Sequence, residues 1–270
     1  MAQARHVVLF VVDGLRPDAL PLTETRHIDR LTAAGAHTWQ AQSVCPSITL
    51  PCHASLFLSA SPEQHGIVSN VWTPSQPLSP GLFDVVHEAG LGTAAFYSWE
   101  ELRDLGRPGT LDAAHYHRLG DWPCERTIEL GAMAAGYIAT QRPAFAFVYL
   151  EAPDAVGHDH GWMSAPYMEA VAAADRAIGL VLEALADRGA LADTCCLVIA
   201  DHGGHGSGHG SDAPEDMTIP WLAAGPGIAR GVRLSGPVSI IDTAPTIAHL
   251  LGLPRPANWR GWVVSEALQV

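Results

Sequence analysis

Aspartate and histidine side chains follow several short apolar segments of this chain, in spacings that suit metal binding. Asp13 ends the first segment, and Asp201 and His202 end a later one. Asp154 and His158 follow a third segment four residues apart, so that on a helix they would share one face. Carboxylate and imidazole groups are ligands that Zn²⁺ and Mn²⁺ accept. Each motif alone is also typical of a turn or a helix cap, but their joint occurrence at segment ends indicates a metal site.

The candidate ligands follow short apolar runs, and along the chain these runs alternate with stretches of helical periodicity. Short apolar runs predict strands, and amphipathic stretches with helical periodicity predict helices between them. Because the runs are apolar on both faces, they predict an α/β fold, a mostly parallel central sheet with helices on both faces. In such folds ligands bind beyond the carboxyl ends of the strands. The predicted strands cover residues 6–12, 93–97, 144–150, 195–200 and 219–224, and the predicted helices cover residues 28–35, 81–90, 126–140, 166–188 and 243–251.

The length and the layout favour a single domain. The chain has 270 residues, enough to bury a substantial core, and it contains no repeat or long linker. We expect one domain over residues 1–270, in which residues 70–80 and 98–123 are short insertions that form a minimal cap.

The charge and the cysteine content limit the partners and the compartment. Fifteen Lys and Arg against 28 Asp and Glu give a net charge of −13, which disfavours a nucleic-acid polymer as a partner. No apolar run approaches about 18 residues, so we expect no membrane contact. The five cysteines are odd in number and lack C-x-x-C pairing, and no signal-peptide pattern precedes the first apolar run. These features predict a cytoplasmic protein, and the oligomeric state stays open.

The segment from Thr49 to Ile67 carries the pattern T-L-P-C-H…P-E-Q-H-G-I. It resembles the nucleophile region of the alkaline phosphatase superfamily. The order D-G…T-x-P…H-G-I…D-x-x-x-H…D-H-G…H-G, from Asp13 to His209, is similar to the nucleotide pyrophosphatase/phosphodiesterase branch, also called type I phosphodiesterases. The run from Met217 to Gly227 resembles this branch as well. The resemblance covers nearly the whole chain and implies an alkaline phosphatase-like core.

The resemblance implies two divalent metal ions, most commonly zinc, with manganese as the alternative. His205 and His209 both lie in the glycine-rich loop after Asp201, and the pattern of the branch favours His209 as the ligand. Three carboxylates and one alkoxide carry about four negative charges, which two divalent ions neutralise, so a phosphodiester anion would not be repelled. The implied ligands are Asp154, His158 and His209 for one ion, and Asp13, Asp201, His202 and the Thr49 oxygen for the other.

Thr49 occupies the nucleophile position of the resemblance. Its hydroxyl is a poor nucleophile at neutral pH, and metal coordination can make it an alkoxide. Asn70, 21 residues later, stands where the branch has an asparagine that helps to bind a phosphate oxygen. The resemblance therefore implies a metal-dependent hydrolase of small phosphodiesters or nucleotide-like substrates, which acts through a phospho-threonine intermediate.

Other functions for the same residues stay open. A phosphomonoesterase, a phosphonate hydrolase or a phosphate mutase would use the same ligands, although monoester dianions usually need an added cation that the motifs do not supply. A sulfatase needs Cys or Ser in place of Thr49, whereas Cys45 lies four residues too early and Cys52 is expected to pack beside the nucleophile. A metal-binding module without turnover is the alternative from another class. Three tryptophans could stack on a substrate ring or pack in the core: Trp72, Trp99 and Trp162.

Overall fold

The computed structural model describes residues 4–73 and 80–269. These residues build one sheet of eight strands, five of which lie where the apolar runs predict them. The strands are β1 (His6–Val12), β2 (Ala36–Gln42), β3 (Thr93–Tyr97), β4 (Ala113–Tyr116), β5 (Phe145–Leu150), β6 (Thr194–Ile199), β7 (Thr218–Ala224) and β8 (Val232–Arg233).

Helices connect these strands, and the five predicted ones all form within a few residues of the predicted bounds. Short 3₁₀ turns supplement them at residues 17–22, 100–105, 190–193, 240–242 and 265–267. The α-helices are α1 (Arg26–Ala34), α2 (Thr49–Leu58), α3 (Pro62–His65), α4 (Leu82–Glu88), α5 (Pro123–Gln141), α6 (Ala152–His160), α7 (Ala165–Asp187), α8 (Pro214–Met217) and α9 (Thr243–Leu250).

Aromatic contacts show that helices cover both faces of the sheet. Phe57 of α2 lies with its ring centroid 5.1 Å from that of Phe147 on β5. Tyr137 of α5 contacts Phe96 of β3, with 5.7 Å between ring centroids. Phe96 pairs with Val148, the neighbour of Phe147 along β5, and adjacent residues of a strand point to opposite faces. Thus α2 and α5 pack on opposite sides of the sheet, as the apolar runs predict.

The sheet has the order β4-β3-β5-β1-β6-β7-β2-β8 and is mostly parallel. At its centre, β1 pairs in parallel with both β5 and β6. The predicted strand β7 is buried as expected, but it runs antiparallel to β6 and to β2. The reason is the connection: the chain leaves β6 and enters β7 at the same edge of the sheet, without crossing back over a face.

Two elements near the centre escape the sequence patterns. The strand β2 has the sequence A-H-T-W-Q-A-Q, in which polar residues interrupt the apolar run. The helix α2 is buried at all ten positions, so it shows no amphipathic periodicity. For this reason the sequence patterns did not predict a helix at Thr49.

The two predicted insertions differ in what can be described. Residues 74–79, which make up most of the first, lie outside the described residues. The second contains β4, which pairs with β3 and extends the sheet at its edge. The single-domain assignment stays a prediction. Within the described part of the chain, no helix combines the length and the apolar character needed to cross a bilayer.

The buried His65, the last residue of α3, makes a pH-dependent contribution to stability. The Ile67 N–H donates to its Nδ1 (3.1 Å), so Nε2 carries the proton and donates to the Ser55 hydroxyl (2.9 Å). Burial lowers the pKa of His65 to about 4. Because an unfolded histidine titrates near 6.5, the unfolded chain binds more protons between about pH 6.5 and 4, and stability falls as the pH falls through this range.

A His65→Gln variant removes this titration. We expect the free energy of unfolding, measured by urea denaturation at a series of pH values, to fall less steeply for the variant than for the wild type between about pH 6.5 and 4. All other titrating groups are shared, so they cancel in the comparison. Parallel profiles for the two proteins would contradict the assignment.

Candidate active site

The carboxyl ends of β5, β1 and β6 lie side by side and bring the predicted ligands together. The backbone N–H of Asp13 donates to the carbonyl of Leu150 at the end of β5 (3.0 Å). Asp154 lies in the first turn of α6, directly after β5, and Asp201 follows β6. The Gly14 N–H donates to the Asp201 carboxylate (3.2 Å), which ties two of these strand ends together.

Asp154, His158 and His209 form a first group of candidate ligands, with one donor atom from each within 4.8 Å of the others. The Nε2 atoms of His158 and His209 lie 3.1 Å apart, and each is 3.5 Å from an oxygen of Asp154. This is the set that the resemblance implies for one ion.

The histidines are held with one ring nitrogen toward the site. The Nδ1 of His158 contacts the carbonyl of Ser207 (3.0 Å), and that of His209 contacts the carbonyl of Ser47 (2.8 Å). His202 makes the same contact with the Gly203 carbonyl (2.8 Å). A carbonyl can only accept, so each Nδ1 carries the proton and each Nε2 keeps its lone pair. Lone pairs that face each other across 3.1 Å repel, and a cation between them removes that repulsion.

A second group surrounds His202. Its Nε2 lies 3.2 Å from Asp13, 3.3 Å from Asp201 and 3.2 Å from the Thr49 hydroxyl. These are the four residues expected around the other ion. Asp154 also comes within 4.8 Å of the donor atoms of Asp13 and His202, so it lies between the two groups. The sequence motifs did not indicate this intermediate position.

The charge state of the three carboxylates fits a bound cation. Asp13, Asp154 and Asp201 each have one buried oxygen without a hydrogen-bond partner among the described residues. The pKa of Asp13 is raised well above its ordinary value, mainly by burial and secondly by repulsion from Asp201. Burial also raises the pKa of Asp154. Burial opposes ionisation of Asp201 too, but attraction to His202 and His53, together with hydrogen bonds from Asp13 and the Gly14 N–H, lowers its pKa. Buried carboxylates without partners are costly, and divalent ions would compensate them.

Thr49 is the first residue of α2, and its side chain is buried beside His202. The hydroxyl donates to the Nε2 lone pair of His202 (3.2 Å). Asn70 lies close by, because its side-chain oxygen accepts from the Leu50 N–H at the start of the same helix (3.0 Å). The N-terminus of a helix carries partial positive charge that attracts anions such as phosphate. The geometry therefore places a hydroxyl, an amide group and a helix N-terminus next to the candidate ligands.

Three further residues contact the candidate ligands or Thr49, and the sequence motifs did not assign a role to any of them. Tyr149, on β5, donates its hydroxyl to Asp13. His53 donates from Nδ1 to the Thr49 carbonyl (2.8 Å), and this nitrogen is also 3.5 Å from Asp201. Ser43 donates to the Asp201 carbonyl. Since each lies inside a buried strand, helix or turn, it looked like an ordinary core residue.

The structure shows where the three tryptophans and Cys52 lie. Trp162 is buried, donates from its indole N–H to the Gly14 carbonyl (2.9 Å) and packs against His158, so it supports the site and does not line it. Trp72 and Trp99 are half-buried against the core. Cys52, which was expected to pack beside the nucleophile, is buried with its thiol 3.2 Å from the Ser43 hydroxyl, and burial raises the pKa of the thiol.

The Trp162 ring packs against Gly204, where a larger side chain would not fit. A Cβ at Gly204 would lie 2.2 Å from Trp162, whereas at Gly208, in the same loop, no described atom lies within 4 Å. We expect Gly204→Ala to destabilise the protein by about 1–3 kcal/mol through overpacking and to weaken metal binding, because Trp162 contacts both His158 and His209. Chemical denaturation and zinc titration would measure both effects, with Gly208→Ala as the matched control. Equal stability of the two variants would contradict this.

The fold is shared with several solved structures. An inactive threonine-to-alanine variant of murine ectonucleotide pyrophosphatase/phosphodiesterase 5 in complex with AMP has a TM-score of 0.80 at 18% identity, covering 98% of this chain and all of that chain. The phosphonate monoester hydrolase from Silicibacter pomeroyi has a TM-score of 0.76 at 16% identity, covering 96% and 76%. A 2-O GAG sulfatase has a TM-score of 0.74 at 18% identity, covering 97% and 74%. At such identities the likeness shows the fold alone.

Comparison of the sequence with known families identifies the family of this chain. Residues 7–89 and 93–210 match the family described as type I phosphodiesterase / nucleotide pyrophosphatase, and the chain belongs to this family. Ectonucleotide pyrophosphatase/phosphodiesterase family member 3 of Mus musculus is 27% identical over 220 residues, which cover 73% of this chain and 24% of the mouse protein. Venom phosphodiesterase of Macrovipera lebetinus is 26% identical over 222 residues, covering 73% and 25%. The chain spans about a quarter of the length of these curated relatives.

Family membership confirms the resemblance seen in the motifs. The family is metal-dependent, and both groups of candidate ligands lie at the edge of the sheet where the site was expected. His205 belongs to neither group; its Nδ1 donates to Asp216 instead (2.7 Å).

Proposed function

We propose that this protein hydrolyses small phosphodiesters, using Thr49 as the nucleophile and two divalent metal ions, with zinc or manganese as the metal. The observation that carries the proposal is the position of the Thr49 hydroxyl, at the start of α2 and 3.2 Å from the Nε2 of His202 in the second ligand group. The threonine-to-alanine variant of the murine relative with AMP, described as inactive, supports a threonine in this role.

The residues of the chain divide the work. Asp154, His158 and His209 would hold one ion, and Asp13, Asp201 and His202 would hold the other. When bound, the ions would activate the hydroxyl and stabilise negative charge on the departing oxygen. Thr49 would attack phosphorus as the bond to one alcohol leaving group breaks. The phospho-threonine intermediate would keep the other ester group, and water would then release it as a phosphate monoester and restore the Thr49 hydroxyl. The Asn70 amide and the N-terminus of α2 would hold the non-bridging oxygens.

The substrates are proposed to be small and nucleotide-like. The names of the relatives and the AMP complex of the structural neighbour support this class. The net charge of −13 disfavours a nucleic-acid polymer. We also propose a cytoplasmic location and a single domain, supported by the unpaired cysteines and the one continuous sheet.

Matched nitrophenyl substrates test the reaction type. A phosphodiester, a phosphomonoester, a phosphonate monoester and a sulfate would be offered to the chelated protein and to protein reloaded with zinc or manganese. We expect metal-dependent cleavage in which the diester is at least about tenfold faster, about 1.4 kcal/mol in barrier. A preference for another ester would overturn the substrate class and leave the fold and ligands intact. Bound metal without turnover of any of them would favour a binding module.

A further inference from the structure

One loop orients both histidines of the first ligand group. The loop covers residues 205–211, between β6 and α8. It carries His209 itself, and its Ser207 carbonyl accepts from the Nδ1 of His158 (3.0 Å). A pair of backbone hydrogen bonds between His205 and Gly208 (2.9 and 3.1 Å) closes a turn within it. The geometry of Asp154, His158 and His209 therefore depends on where this loop is held.

The carboxylate of Asp216 holds both ends of the loop. Asp216 is fully buried, in the last turn of α8. One oxygen accepts from the Nδ1 of His205 (2.7 Å), at the start of the loop. The other accepts from the Ser211 N–H (3.0 Å) and the Ser211 hydroxyl (2.7 Å), at its end. Three hydrogen bonds to one buried charge close the loop, and charged acceptors make strong bonds.

The second ligand group has no hydrogen bond to this carboxylate among the described residues. Asp13 and Asp201 follow β1 and β6, and His202 follows Asp201 directly. Backbone hydrogen bonds link the next residues to α8: the Gly203 N–H donates to the Asp216 carbonyl (2.8 Å), and the Gly204 N–H donates to the Glu215 carbonyl (2.9 Å). A change in the Asp216 side chain leaves these bonds in place and acts first on the loop, which touches the second group where the His209 ring stacks on the His202 ring (3.8 Å between centroids).

We propose that Asp216, acting through His205 and Ser211, is a positioning residue that sets the metal affinity mainly of one of the two sites, the one formed by Asp154, His158 and His209. This inference rests on the proposed two-metal centre. In this proposal His205, which the sequence offered as a candidate metal ligand, instead holds the start of the loop through its hydrogen bond to Asp216. Partners that orient metal ligands typically change metal affinity 10- to 100-fold when they are lost.

Zinc binding tests the proposal without any substrate. Wild type, Asp216→Ala and Asp216→Asn would be equilibrated with zinc at buffered free concentrations, and bound zinc per chain would be measured by elemental analysis. We expect Asp216→Ala to bind one ion with wild-type affinity and the other 10- to 100-fold more weakly. Asp216→Asn, whose amide can still bond to both ends of the loop, should lie closer to wild type. Asp212→Asn, an exposed carboxylate of the same connection, is the matched control.

Kinetics and a second variant complete the test. Added zinc should restore kcat of Asp216→Ala with little change in KM, which a general loss of folding would not produce. His205→Ala, which removes one of the three bonds at the protein surface, should show a smaller loss at the same ion and serves if Asp216→Ala does not fold. Unchanged affinity for both ions, or equal weakening of both, would overturn the proposal. A wild type that binds two ions and cleaves no diester would overturn the proposed function and leave the role of Asp216 standing.

Discussion

Replacement of Thr49 by alanine is expected to slow hydrolysis of a nitrophenyl phosphodiester by at least about a thousandfold, or about 4 kcal/mol in activation free energy. The hydroxyl is the group that would form the covalent intermediate. Steady-state kcat at saturating zinc measures the effect. Because Thr49 is buried beside His202, zinc content and the far-ultraviolet spectrum would be recorded for the same samples.

Two comparisons make this result specific. Thr49→Ser keeps a hydroxyl and should retain part of the activity, with a burst of nitrophenol if hydrolysis of the phosphorylated enzyme is slow. Thr140→Ala makes the same chemical change on the exposed end of α5 and should behave as the wild type. A Thr49→Ala protein that keeps its zinc and its activity would show that water, and not Thr49, attacks phosphorus.

Replacement of Asp154 by asparagine is expected to change stability in opposite directions with and without metal. In the metal-free protein, Asp154 adds a third carboxyl group to a buried cluster, and its burial raises its pKa. A neutral amide of the same shape removes that cost, so the metal-free variant should melt at a higher temperature than the metal-free wild type. Asp154 lies within reach of both ligand groups, so the variant should lose zinc and at least about a thousandfold in kcat.

The metal-loaded comparison should reverse the order. Zinc at about 100 times its dissociation constant stabilises a protein by about 2.7 kcal/mol, which corresponds to a rise of about 5–10 °C in melting temperature for a domain of this size. The wild type should gain this stabilisation, and Asp154→Asn should lose most of it. Asp159→Asn, on the exposed side of the same helix, is the matched control. A wild type whose melting temperature ignores both chelation and zinc would contradict the proposed centre.

The sequence alone determined the central strands and the identities of the candidate ligands. Runs such as residues 7–12 and 145–150 are apolar at every position, and their short length and β-branched or aromatic residues favour a strand buried on both faces. Parallel strands end at one edge, so Asp13 and the residues after Leu150 had to meet there. Ligand types follow from chemistry, since Asp, Glu, His and Cys are the side chains that commonly bind these ions. Such features are local, and a single chain segment displays each of them.

Only the tertiary structure decided how these pieces share one site. The antiparallel direction of β7, the position of Asp154 between the two ligand groups and the support from Tyr149 and His53 all depend on segments far apart in the chain. The contacts of Asp216 with His205 and Ser211 span only 11 and 5 residues, but no sequence pattern indicates them either. Hydrophobic periodicity indicates which face of a helix or strand is buried, but it does not indicate which residue packs against that face. The hydrogen-bond partner of a buried polar residue therefore cannot be predicted from a periodic pattern. Partners are chosen by packing, which fixes distances of a few ångströms between residues more than a hundred positions apart.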